Sequence, residues 1–215
     1  MKSVLVIGLG RFGKHLATKL VELGNEVMVV DTNEEEVDKI AHIATRAQIG
    51  DCKDEDVLKT LGVRNFDVCF VCISDNFQSS LEITSLLKEL GAKFVVSKTD
   101  RDIHAKFLRK IGADDVIYPE RDMAQRAAVK YSSKTAFDYI ELTDDYAISE
   151  ILIPGNWKGK TLKELNIRSV YKINIIGFKT NSHVTPIIDA DYVFNGDEHL
   201  LIAGNKKDLL KILDK

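Results

Sequence analysis

The sequence predicts a doubly wound parallel α/β sheet followed by a smaller α+β module. Three observations carry this expectation. A glycine-rich turn, Gly8-Leu-Gly-Arg-Phe-Gly13, stands between an apolar run (Val4–Ile7) and a helical stretch. Six short apolar runs alternate with helical segments over about 130 residues. The alternation then stops at a small polar run, Ser132-Ser-Lys-Thr135, and hairpin-like patterning takes over. Crossovers between parallel strands are right-handed, so a sheet of order 3-2-1-4-5-6 is the natural outcome for the first part.

The elements follow in order. Val4–Ile7 is apolar throughout, as a strand covered on both faces must be. After the glycine turn and a helix, Val27–Val30 forms the second strand and Asp31 closes it. Thr32 and Asn33 offer an N-cap, and Glu34, Glu35 and Glu36 suit the first turn of a helix running to about Ile43. Arg46–Gly50 is a short strand closed by Asp51. Asp54–Leu61 is a helix ended by Gly62. Val68–Ile73 is the fourth strand, followed by the turn Ser74-Asp-Asn76 and a helix over Phe77–Leu90. Phe94–Ser97, a helix over Asp102–Ile111, Val116–Tyr118 and a helix over Arg121–Tyr131 complete the sheet, with Pro119 ending the last strand.

The second part reads as a βαβββα module. Its strands are Tyr146–Ile153, Ile173–Lys179, Val184–Ile188 and Leu200–Ala203. A short helix capped by Thr161 spans 161–165, Asn181-Ser-His183 forms a turn, and Gly204 and Asn205 open a last helix over Lys206–Leu213. The expected division is residues 1–131, a linker at 132–138, and 139–215.

Composition narrows the functional classes. The 215 residues are 45% hydrophobic and 29% charged, an ordinary globular balance, with a net charge of −3 and no long basic run, so a nucleic-acid footprint is not supported. No apolar stretch has the length of a membrane span, and no leader precedes Val4, so a cytoplasmic protein without membrane insertion is expected. Three cysteines without a disulfide pattern suit a reducing compartment. Cys69 and Cys72 have C-x-x-C spacing but fall within a strand, where residues three apart face opposite ways, so core packing is the expected role.

The turn and its surroundings read as a nucleotide site. Gly8 permits the tight turn, Gly10 lets backbone approach a phosphate, and Gly13 lets helix and strand pack closely. The helix N-terminus offers free N–H groups and partial positive charge to an anion. Asp31 can accept both ribose hydroxyls and would repel a 2′-phosphate. Asp51, Ser74, Asn76 and Lys98 also fall at strand carboxyl ends and converge on one cleft. Caps or turns are equally good local readings for Asp51, Ser74 and Asn76. The guanidinium fork of Arg11 suits a terminal phosphate. Glu120, a hard oxygen ligand, is either a Mg²⁺ or Ca²⁺ ligand near the phosphates or a helix-start carboxylate.

Taken together, these motifs resemble a known family. Val-Ile-Gly-Leu-Gly-Arg-Phe-Gly13, Val-Asp31, Ile-Gly-Asp51, Leu-Gly-Val-Arg-Asn-Phe-Asp67, Ile-Gly-Ala-Asp114, Tyr-Pro-Glu120, Leu-Asn-Ile-Arg168 and Gly-Asp197 are similar to those of the regulatory subunits of bacterial potassium uptake systems, the RCK proteins of KtrA and TrkA type. Arg11 and Phe12 point to the KtrA branch. Cys52-Lys53 departs from the pattern, in which Ala or Thr often follows the acid. The resemblance implies a first domain that binds ATP, ADP or NAD(H) through Gly8, Gly10, Arg11, Phe12, Gly13, Asp31, Thr32, Asn33, Asp51, Cys52, Ser74, Asn76, Lys98 and Glu120. It implies homodimers assembled into an octameric ring on the cytoplasmic face of a potassium-translocating membrane subunit. It also implies a second-domain pocket for cyclic di-AMP at Ile167, Arg168, Asn174, Ile175 and Ile176.

Two other readings are weighed against this one. A small NAD-dependent reductase needs a positioned acid or base beside the nicotinamide. Tyr131-Ser-Ser-Lys134 lacks Tyr-x-x-x-Lys spacing, and the histidines do not fall at the strand ends of the cleft, so no enzyme activity is expected. A regulator of another ion carrier shares the same motifs.

Overall fold

The computed structural model describes residues 1–73, 75–132, 136–180, 183–186, 189–195 and 199–213. The chain divides into two compact units, residues 1–121 and 122–215.

In the first unit β1 (Ser3–Ile7), β2 (Glu26–Asp31), β3 (Arg46–Ile49), β4 (Val68–Val71), β5 (Val95–Lys98) and β6 (Asp115–Ile117) form a parallel sheet. Its order is β3-β2-β1-β4-β5-β6, as the sequence predicts. The connecting helices are α1 (Arg11–Glu22), α2 (Glu34–Ala41), α3 (Glu55–Leu61), α4 (Phe77–Glu89) and α5 (Asp102–Lys110). Alternate residues of β1 serve two cores, because successive side chains of a strand point to opposite faces. Leu5 and Ile7 pack with Leu58, Ile83 and Leu87 of α3 and α4. Val4 and Val6 pack with Ala17, Val37 and Ile40 of α1 and α2. Cys69 and Cys72 divide in the same way between the two cores.

Helix α6 (Pro119–Ser132) follows β6. Pro119 both ends the strand and opens the helix, since its fixed φ and missing N–H suit a first helical position. Farther along α6, Val129 packs against the core of the second unit, and Arg126 grips Asp138 with two bonds of 2.8 and 2.6 Å. The compact boundary therefore falls at 121/122, earlier than the expected linker at 132–138.

The second unit holds an antiparallel sheet of β7 (Ala136–Glu141), β8 (Tyr146–Leu152), β9 (Ile173–Thr180), β10 (His183–Thr185) and β11 (His199–Asn205). The order is β10-β9-β11-β8-β7. Three helices accompany it, α7 (Leu162–Leu165), α8 (Ile167–Tyr171) and α9 (Lys206–Leu213). Trp157, Phe194, Ile151, Ile173, Leu200, Ile202 and Leu209 build its core. Thr161 caps α7 as expected, in a reciprocal box with Glu164.

Several expectations change here. β7 replaces part of the expected linker; a register shift between Ala136 and Asp138 breaks the two-residue period that would have announced it. Helix α8 is framed by left-handed Asn166 (φ 43°) and Lys172 (φ 57°); asparagine is a common occupant of that region, whereas lysine gives little sequence warning of it. Gly204 and Asn205 are the last residues of β11, and Asn205 also serves the start of α9, where its side chain accepts the Lys207 N–H at 3.0 Å. His183 lies in β10, which ends at Thr185. Within the expected linker, turn and strand, residues 133–135, 181–182 and 187–188 lie outside the described residues, as do Gly196 and Asp197 of the last motif.

Among the described residues, no helix is long and apolar enough to cross a membrane.

Candidate functional site

The glycine turn is closed on one side and open on the other. Gly8 sits at φ +93°, and its N–H donates to the Val30 carbonyl at 2.9 Å. A Cβ on Gly13 would lie 1.9 Å from the Gly8 carbonyl oxygen, so α1 and the turn are in backbone contact there. A Cβ on Gly10, by contrast, would meet no atom within 4 Å. Gly10 is the N-cap of α1, no side chain caps it, and no acidic residue stands in the first turn. The uncapped N–H groups of α1 therefore face open space, which suits an anion.

That space belongs to a cleft of about 800 Å³ at the carboxyl ends of β1, β2, β3 and β4. Gly8, Gly10, Arg11, Asp31, Thr32, Asn33, Asp51, Cys52 and Asn76 line it. The Asp31 carboxylate accepts the Leu9 N–H at 2.5 Å on one oxygen and the Asn33 N–H at 2.8 Å on the other. Each oxygen keeps spare acceptor capacity, so the carboxylate is fixed in place and still able to accept. Asn33 caps α2 through the Glu35 N–H at 3.0 Å. Asn76 caps α4 through the Ser79 N–H at 3.0 Å. Asp51 folds a tight turn, accepting the Lys53 N–H at 3.0 Å, and Asp54 is the residue that caps α3.

Cys52 lies under the base of the cleft. Burial, with help from Asp51 and Asp31, pushes its thiol up to about 12. Burial does the same to Cys69 and Cys72. A rise from 9.0 to about 12 lowers the thiolate fraction near neutral pH about a thousandfold. All three thiols of the folded chain are therefore expected to resist a disulfide reagent at mildly alkaline pH and to titrate fully in guanidinium. Rapid labelling of the folded chain would contradict the burial described here.

Four expected residues do not line the cleft. Phe12 packs into the core beneath α1, and Gly13 is closed off by Gly8. Lys98 is buried and donates to Glu120 at 2.7 Å, with its ammonium 5.7 Å from the centre of the Phe12 ring. This bond holds the Glu120 carboxyl below its ordinary range, with Arg11 adding a smaller effect. Glu120 is thus engaged by an ammonium group, and among the described residues no three His, Cys, Asp or Glu side chains gather as metal ligands. Ser74 lies outside the described residues.

The cleft also contains residues that the sequence reading did not select. Ile7, Val30, Ile73 and Ile83 give it an apolar wall, and Glu36, Lys53, Asp75 and Ser79 add polar groups. Glu36 shares the first turn of α2 with Glu34 and Glu35, where acidic residues are ordinary, so nothing local marks it out. An apolar wall, a fixed carboxylate and an open helix N-terminus in one cavity fit the base, ribose and phosphates of a nucleotide.

A second cavity, of about 350 Å³, lies in the second unit, lined by Leu162, Lys163, Asn166, Ile167, Arg168, Ile173 and Ile175. Of the five residues expected at an effector pocket, Ile167, Arg168 and Ile175 belong to it. Asn174 alternates to the other face of β9. Ile176 is the extra residue where the register with β11 shifts.

Comparison with known proteins agrees with this architecture. Residues 4–119 match the TrkA-N domain and residues 148–215 the TrkA-C domain. The chain is 43% identical over 208 residues to Ktr system potassium uptake protein C of Bacillus subtilis, covering 97% of this chain and 94% of that protein. It is 38% identical to Ktr system potassium uptake protein A of the same organism, with the same coverage. Among solved structures, the GsuK channel superimposes with a TM-score of 0.71 at 21% identity, covering 99% of this chain and 39% of that longer chain, a likeness of fold. The chain belongs to the Ktr family of potassium uptake proteins, built from a TrkA-N domain and a TrkA-C domain.

Proposed function

We propose that this protein is a nucleotide-sensing regulatory subunit of a potassium uptake system and not an enzyme. The observation that carries the reading is the open Gly10 cradle at the N-terminus of α1, joined in one cleft to the fixed carboxylate of Asp31. ATP or ADP would place its phosphates on the α1 N–H groups and beside Arg11, its ribose on Asp31, and its base against Val30, Cys52 and Ile83. NAD or NADH is the alternative occupant of the same groups. The Ktr relatives support a place in a potassium uptake system; the rest of the reading is a homodimer assembling into an octameric ring, docked on the cytoplasmic side of a potassium-translocating membrane subunit. Mg²⁺ or Ca²⁺ accompanying the phosphates at Glu120 would have to displace Lys98. In the second unit, Arg168 and Lys163 flank an isoleucine-lined cavity, a chemistry suited to the phosphates and adenines of cyclic di-AMP.

Nucleotide identity can shift the protein between conformations only through a difference in affinity between them. Arg11 is the group placed to supply that difference, by counting phosphates. Thermal shift and light scattering with ATP, ADP and NADH test this. The wild type is expected to be stabilised most by ATP and to form an eight-membered assembly. Arg11→Ala is expected to respond equally to ATP and ADP. An unchanged preference for ATP in that variant would remove Arg11 from the mechanism, and no response to any of the three would remove nucleotide binding.

A further inference from the structure

We propose that Glu36 is a specificity-determining residue that restricts the cleft to nucleotides with a free 2′-hydroxyl; this rests on the nucleotide reading of the cleft. Glu36 lies in the first turn of α2 and lines the same cavity as Asp31, Thr32 and Asn33. Its carboxylate bonds Lys14 of α1 with one oxygen and Lys39 with the other, the latter at 2.6 Å. The side chain keeps about a quarter of its surface open, and the Lys14 bond, followed by the Lys39 bond, holds its carboxyl below the ordinary range.

Two consequences follow for a ligand. A 2′-phosphate would bring up to two negative charges toward a second ionised carboxylate as well as toward Asp31. Lys14 and Lys39, the cations that neighbour Glu36, are already paired with it, and Lys53, the lysine that lines the cavity, is paired with Asp51. The carboxylate therefore acts twice, by repelling the extra phosphate and by occupying its counter-charges. The exclusion does not depend on Asp31 alone.

Calorimetry on the full-length chain with ADP and with its 2′-phosphorylated counterpart provides the test, and the readout is the ratio of the two affinities. Wild type is expected to favour ADP strongly. In Glu36→Gln the ratio is expected to fall about tenfold or more, as removal of one charge at contact range implies. Lys14→Met, which keeps the carboxylate while breaking its tie to α1, is expected to retain the preference for ADP. An unchanged ratio in Glu36→Gln overturns the proposal, as does wild type that binds both ligands equally. A loss of preference in Lys14→Met also overturns it, by assigning the effect to the tie between helices. Wild type that binds neither ligand defeats the nucleotide reading itself, a result separate from these.

Discussion

Gly13→Ala is expected to destabilise the first unit by about 3 kcal/mol or more, because its new Cβ has to occupy a point 1.9 Å from the Gly8 carbonyl oxygen. The neighbour is backbone and cannot swing aside as a flexible side chain would. Gly8 is itself held by its bond to Val30 and, at φ +93°, has little freedom to accommodate the intrusion. Gly10→Ala, three residues earlier, is expected to behave in the opposite way. Its Cβ meets nothing within 4 Å, and its φ of −58° suits alanine, so folding should weaken by no more than about 1 kcal/mol, the usual loss at an N-cap. The methyl group would nevertheless stand where a phosphate approaches the α1 N–H groups. Losing one hydrogen bond to a charged group is worth about 1.5–3 kcal/mol, or roughly tenfold or more in affinity. Denaturant unfolding and ATP titration of the two variants separate these effects. Full ATP affinity in Gly10→Ala would place the phosphates away from this turn.

The same contrast explains what the sequence made legible. The strand order followed from alternation and handedness, and Asp31 followed from its place at the end of β2. Both depend on topology, which periodicity encodes well. Lys98 ends β5 and Glu120 stands in the first turn of α6, and the two side chains pair with each other without lining the cleft. A sequence shows where a charge is attached but not which neighbour neutralises it. Glu36 was hidden for the reverse reason: acidic residues in a first helical turn are ordinary partners of the helix dipole, so its bridge to Lys14 across two helices had no local signature. Asp51 reads as a possible cap and Asp54 as the first residue of a helix, whereas Asp54 is the cap and Asp51 folds the turn before it, a choice set by turn geometry that composition does not record. In the second unit the bulge in β7 and the left-handed residues around α8 interrupted the periods on which the reading relied.

Trp157→Ala is expected to lower the stability of the second unit by about 3–5 kcal/mol, the range for emptying a large aromatic site. Trp157 is 1% exposed, and its ring contacts Tyr171 and Phe194 at centroid distances of 5.0 and 5.9 Å. Its indole N–H donates to the Tyr171 hydroxyl at 3.1 Å, so truncation leaves both a cavity and a hydroxyl without its donor. Trp157→Phe keeps most of the apolar volume and loses the hydrogen bond, so a smaller penalty of about 1–2 kcal/mol is expected. Since this is the chain's single tryptophan, intrinsic fluorescence of the wild type reports on the second unit, while far-UV circular dichroism follows both variants. Every residue lining the cleft lies within 1–121. ADP affinity in Trp157→Phe is therefore expected to match wild type. A tenfold loss there would mean that packing around Trp157 is thermodynamically linked to the cleft, a coupling of about 1.4 kcal/mol.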